Sequence, residues 1–79
     1  PLHLMDKKEL SKTYFMATSR IANAATLLYE SLHDEAGRAR TDADRLHNTI
    51  RKFKREIDSE FDMIRSALLE YHDDNSDIS

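Results

Sequence analysis

His33 and His47 lie on either side of the chain's only glycine, Gly37. Two imidazoles brought together across a turn would make the beginning of a metal site. Zn²⁺ takes three or four ligands, so Asp34, Asp44 or the acids of a second chain would have to complete it. Further along, Glu56, Asp58, Glu60 and Asp62 form a run of carboxylates, a ligand type that helical bundles use for di-iron centres. Those centres also need Glu-x-x-His elements on facing helices. The chain holds one such spacing, Glu30 with His33, and no inward glutamate on a second helix is placed to face it. Solvated histidines beside a turn and a solvated acidic face account for these residues. No catalytic residue, metal site or cofactor is expected.

The more unusual chemistry is electrostatic. Residues 38 to 55 hold seven bases, Arg38, Arg40, Arg45, Arg51, Lys52, Lys54 and Arg55, against two acids, so this zone carries +5 while the whole chain carries -3. Arg45, Asn48, Lys52 and Arg55 recur at helical spacing along one side, a pattern able to track a phosphate backbone. Arg51 and Lys54 project elsewhere, and the one interleaved aromatic, Phe53, belongs to the apolar row, which leaves bases no stacking platform. A basic collar on an acidic chain points first to a protein partner and second to nucleic acid. Bases precede acids along the segment, opposite to the preference of a helix dipole. Arg51 with Arg55, Glu56 with Glu60 and Asp58 with Asp62 are like-charge pairs four apart, each costing a few tenths of a kcal/mol. Something outside this helix is expected to complement it.

Helices must position these groups. One glycine, one proline, no valine and no tryptophan in 79 residues favour helix over sheet. From Leu10 the apolar and small residues fall at Tyr14, Ala17, Ile21, Ala24, Leu28 and Ser31, alternating steps of four and three. Beside them runs a second row, Phe15, Thr18, Ala22, Ala25, Tyr29 and Leu32. Two rows make a face wider than a two-helix seam needs. Residues 13 to 29 carry one charge, Arg20, although 34% of the chain is charged.

A first helix is expected from Asp6 to about Ala36, stopped by Gly37 as a left-handed C′ residue. Thr41 should cap a second helix with Asp44 in a capping-box role, running from Asp42 to about Tyr71. Its core row reads Leu46, Ile50, Phe53, Ile57, Phe61, Ile64, Leu68 and Tyr71, with a stutter between Ile57 and Phe61. Residues 72 to 79 are short, polar and acidic and should be a disordered tail. "MDKKEL" reads as a natural start at Met5, which makes residues 1 to 4 an expected cloning remnant and residues 5 to 71 the domain. No positively charged region precedes an apolar run, so no secretion signal is read. The quiet stretch is too short and too often interrupted to span a membrane. Without cysteine, a cytoplasmic location is favoured.

The expected fold is therefore all-α, an antiparallel two-helix hairpin over about 6–36 and 42–71. A chain this short buries little by itself, so the hairpin is expected to dimerise into a four-helix bundle. Tyr14, Ala17, Ile21, Ala24, Ala25, Leu28, Ile57 and Phe61 are the residues expected to mediate self-association. In outline this resembles the Rop family of plasmid copy-number regulators, dimers of helical hairpins that bind RNA; the resemblance covers architecture alone. Arg40 and His47 fit the loose Arg-x(4–6)-His spacing that resembles HEPN ribonucleases, but Arg40 falls in the turn and those domains are larger. The expected function is that of a small non-enzymatic binding protein, a regulator, adaptor or inhibitor of the kind frequent among phage- and plasmid-encoded modulators. The alternative is a Rop-like binder of RNA or DNA through residues 38 to 55.

Overall fold

The computed structural model describes residues 4–38, 40 and 42–75. Two helices, α1 (Lys7–Ala36) and α2 (Ala43–Asn75), pack against each other as a hairpin measuring 61 × 21 × 18 Å. α1 starts where Asp6 leaves helical geometry, in extended conformation, and its carboxylate accepts from the Glu9 N–H at 2.8 Å. This satisfies one of the amide donors that a helix N-terminus leaves without a carbonyl.

The turn departs from expectation in two ways. Gly37 lies in the right-handed region, φ -81° and ψ -6°, and its N–H is shared between the carbonyls of His33 and Asp34 at 3.1 and 3.2 Å. The chain leaves α1 without reversing hand, so glycine's freedom is not needed there. Thr41 is outside the described residues, and the capping role falls to Asp42, whose Oδ1 accepts from the Arg45 N–H at 3.0 Å. Asp42 reaches this position because its own N–H is held by Glu35 at 2.8 Å.

The far end is longer than expected. α2 continues past Tyr71 to Asn75, so residues 72–75 are helix rather than tail. Asp74 accepts from the Met5 N–H at 2.7 Å, and the Asn75 amide donates to the carbonyls of Met5 and Tyr71 at 3.2 and 2.8 Å. Polar side chains that read as a solvated tail instead tie down the start of the other strand of the hairpin. Residues 76–79 of the expected tail, and 1–3 of the expected remnant, lie outside the described residues.

On α1 the seam follows the expected row. Leu10 and Ala17 are buried, and Tyr14, Ile21, Ala24 and Leu28 are half-buried; the row then leaves exposed Ser31 and closes on buried Glu35. On α2 the seam is displaced. Its members are Leu46, Thr49, Phe53, Ile57, Glu60, Ile64, Ala67 and Tyr71, while the expected core residues Ile50, Phe61 and Leu68 are exposed. The step of four in place of three therefore falls at Thr49–Phe53–Ile57 rather than at Ile57–Phe61. Small residues explain the shift. Thr49 and Ala67 on α2 and Ala17 on α1 allow close approach of the two backbones, which rows of large side chains on both helices would hold apart.

Candidate functional site

Ion pairs fix which sides of the helices are neighbours. Arg20 Nε donates to Glu60 Oε2 at 2.6 Å, and Nη2 of the same guanidinium lies 3.1 Å from Met63 Sδ. Arg20, Asn23 and Leu27 of α1 thus share one face of the hairpin with Glu56, Glu60 and Met63 of α2. Arg20 holds the Glu60 carboxyl below the ordinary glutamate value, chiefly through its hydrogen bond and against a smaller opposing effect of desolvation. The one charge of the quiet segment is therefore committed to this face.

The opposite face carries the second rows. Phe15, Thr18, Ala22, Ala25, Tyr29 and Leu32 of α1 are all exposed, Phe15 and Tyr29 to 72% and 67%. Ile50, Phe61 and Leu68 of α2 are exposed as well, with half-buried Ile57 and Ile64 at their edge toward the seam. At about 100° per residue, each row lies roughly a quarter-turn from its own helix's seam. In an antiparallel pair both rows come to the same side, away from Arg20 and Glu60. They merge into one elongated apolar face. The Thr18 hydroxyl does not interrupt it, since it donates to the Tyr14 carbonyl at 2.7 Å. At one end, the Tyr29 ring meets His33 with centroids 5.9 Å apart.

Beyond the α2 row lies a charged rim. Arg51, Lys54, Arg55, Asp58, Ser59 and Asp62 line a shallow groove there, and Lys54 Nζ bonds Asp58 Oδ2 at 3.1 Å. At the turn, Glu35 gathers much of the remaining basic zone. Its carboxylate accepts two bonds from Arg45 Nη2 at 3.0 Å and one from Arg45 Nε at 3.2 Å, and it lies 3.3 Å from Arg38 Nε. The Asp42 backbone bond, opposed by desolvation and aided by Arg45, holds the Glu35 carboxyl below its ordinary value.

The expected site residues are therefore dispersed. Of the basic zone, Arg38 and Arg45 are compensated by Glu35 and Lys54 by Asp58. Arg40, Arg51, Lys52 and Arg55 are exposed, with no ion pair to the described residues. The stripe through Arg45, Asn48, Lys52 and Arg55 loses its first member to the turn. Of the residues expected to mediate self-association, Tyr14, Ala17, Ile21, Ala24, Leu28 and Ile57 line the intramolecular seam, which leaves Ala25 and Phe61 facing out. His33, His47, Arg40 and Glu30 are exposed. Among the described residues no three His, Cys, Asp or Glu side chains converge to hold a metal ion. No helix there is long and apolar enough to cross a membrane.

Sequence reading missed Glu35 altogether and saw Glu60 only as part of an acidic run, not as a seam residue paired with Arg20. Each stands at a heptad-like position of its own helix, opposite an arginine about as far from the turn on the other. In sum, the complement of the charge order on α2 is partly α1 itself. Comparison with protein-family models, with curated proteins and with solved structures finds no match.

Proposed function

We propose that this chain is a non-enzymatic binding protein, a hairpin that pairs through its apolar face into a four-helix bundle and acts by protein–protein contact. One observation carries the reading: the row of Phe15, Tyr29 and Leu32 on α1 and the row of Ile50, Phe61 and Leu68 on α2 stand side by side in water. Contiguous apolar surface rimmed by polar groups marks an interaction site. The hairpin also has little core of its own: among the described residues the buried apolar ones are Leu10, Ala17, Phe53 and Ala67. Covering the second face would supply the burial that a chain of this size otherwise lacks.

The charged side chains support binding over chemistry. Glu35, Glu60 and Asp58 each hold a cation in a structural pair. Lys52 and Arg40 point to water and suit contact with an acidic surface of a partner protein. Sedimentation equilibrium of the parent and of Phe15→Ser/Phe61→Ser tests the reading. The parent should sediment as a dimer at micromolar concentration and the variant as a helical monomer. A parent that remains monomeric and folded to millimolar concentration overturns the proposal.

A further inference from the structure

We infer that the occupant of the apolar face is a second copy of this chain stacked antiparallel, with its turn at the opposite end and the two-fold axis passing at the level of Ala22, Ala25 and Ile57. The inference rests on the self-association reading and specifies its geometry.

The first support is angular. Both apolar rows stand roughly a quarter-turn from the seam, on the same side. That offset is what a square array of four helices requires, since each helix then meets one neighbour within its hairpin and one across the stack.

The second support is the symmetry of the rows. Pairs across the hairpin, Arg20 with Glu60 and Glu35 with Arg45, place residues of α1 and α2 at one level when their numbers sum to about 80. Ile57 is thereby level with Asn23 and Ala24. On α2, Ile50 and Ile64, the latter at the edge toward the seam, lie seven residues to either side of Ile57, while Phe61 and Leu68 mirror the seam residues Phe53 and Leu46. On α1 the row is palindromic about the same level: Ala22 and Ala25 at the centre, Thr18 and Tyr29 outside them, Phe15 and Leu32 beyond. A two-fold interface is isologous, so each row must match its own reverse. Small residues at the centre of α1 let α1 and its copy approach, and the aromatic residues fill the space on either side.

The third support is charge. With the axis at Ile57, Arg51 of one copy comes level with Asp62 of the other, and Lys54 comes near the level of Asp58. Symmetry repeats both pairings. Lys54 and Asp58 already pair along their own helix at 3.1 Å and would share that pairing with the copy, whereas Arg51 and Asp62 gain a partner only between copies. These four residues line the groove bordering the apolar row, so they would form the polar rim of the contact. From Phe15 to Leu32 the face is about 25 Å long. With the hairpin 21 Å wide, its projection is on the order of 500 Å², which side-chain relief raises toward the roughly 800 Å² per partner of a standard interface.

Two measurements test this arrangement. The chain has no cysteine, so Ala36→Cys takes a single spin label beside the turn. Antiparallel stacking places the two labels of a dimer roughly 35–45 Å apart at 1.5 Å per residue, and parallel stacking brings them to within about 20 Å. The second measurement is a charge exchange. Arg51→Glu/Lys54→Glu and Asp58→Lys/Asp62→Lys should each raise the dissociation constant at low salt by about fivefold or more. Mixing the two variants should return the parent's affinity as a heterodimer, because every rim pairing is then opposite in sign. A dimer with short label separation, or with no recovery on mixing, overturns the antiparallel geometry and leaves self-association standing. A parent that stays monomeric overturns both.

Discussion

On one face of the hairpin Arg20 crosses from α1 to donate to Glu60 and rest against Met63. On the other face Phe15, Tyr29, Ile50 and Phe61 stand exposed, and among the described residues no ion pair bridges the helices there. Both faces border the same seam and contain large apolar residues; Met16, Leu27 and Met63 are exposed on the Arg20 side. The difference is that one face has an ion pair spanning the two helices and the other has aromatic side chains with no such pair among the described residues. The Arg20 guanidinium is held there by Glu60 Oε2 at 2.6 Å and Met63 Sδ at 3.1 Å, so its charge lies across the two helices. A face with aromatic rings and no such pair keeps its apolar surface available. The first face carries a cross-helix ion pair, and the second carries the most exposed aromatic rings, Phe15 and Tyr29.

The largest test of this contrast compares two phenylalanines. Phe53 is buried in the seam and Phe61 is exposed beside it. Phe53→Ala should cost the hairpin about 3 kcal/mol or more, enough to unfold much of a domain this small. Phe61→Ala should change the unfolding of dilute hairpin by no more than about 0.5 kcal/mol. Urea denaturation followed by circular dichroism at low concentration reads both. Equal losses at the two positions would remove the distinction between seam and open face.

The next test moves to the alanines. Ala17 is fully buried in the seam and Ala25 is exposed on the apolar face. Ala25→Glu should leave the dilute hairpin folded while abolishing the rise of melting temperature with protein concentration, since that rise reports association. Ala17→Glu should prevent folding at any concentration, because a lone charge would enter the dry seam. An Ala25→Glu chain that melts at the parent's temperature throughout a thousandfold range of concentration, while the parent's own rises, would show that the apolar face meets nothing at this point.

Acid sharpens the comparison from the other side. Glu60 and Glu35 both have carboxyl groups held below the ordinary glutamate value of 4.5. A carboxyl that binds its proton less readily when folded contributes stability above its unfolded value, and that contribution fades as pH falls through the lowered folded value. Melting temperature should therefore decline as pH falls below about 4.5. Glu35→Gln and Glu60→Gln should each start from a lower plateau at neutral pH and show a shallower decline. An unchanged profile in the double variant would assign acid sensitivity to other carboxylates.

The smallest expected effect lies at the turn, outside both faces. Gly37 is right-handed, and a Cβ there would meet nothing closer than the Asp34 and His33 carbonyl oxygens at 3.6 and 3.7 Å. Gly37→Ala should stabilise the hairpin by about 0.4–1 kcal/mol by restricting the unfolded chain. A loss of stability would mean that the turn samples the left-handed region after all.

The sequence by itself determined the two helices, the position of the turn and the seam of α1. These follow from local causes: a period near 3.6, few residues that break helices, and a polar break between two long apolar patterns. It also showed that apolar residues outnumber the positions of a two-helix seam, because both rows on α1 are visible without a partner. Tertiary structure alone decided which row of α2 turns inward. Ile50, Phe61 and Leu68 are the more apolar choice, but Thr49 and Ala67 allow closer backbones, and Glu60 can accept a hydrogen bond from Arg20. Pairings such as Glu35 with Arg45 and Met5 with Asp74 and Asn75 join residues whose proximity exists only after the chain has folded back. A polar residue's role depends on what stands opposite it, and periodicity along one helix does not specify the level or rotation of the other.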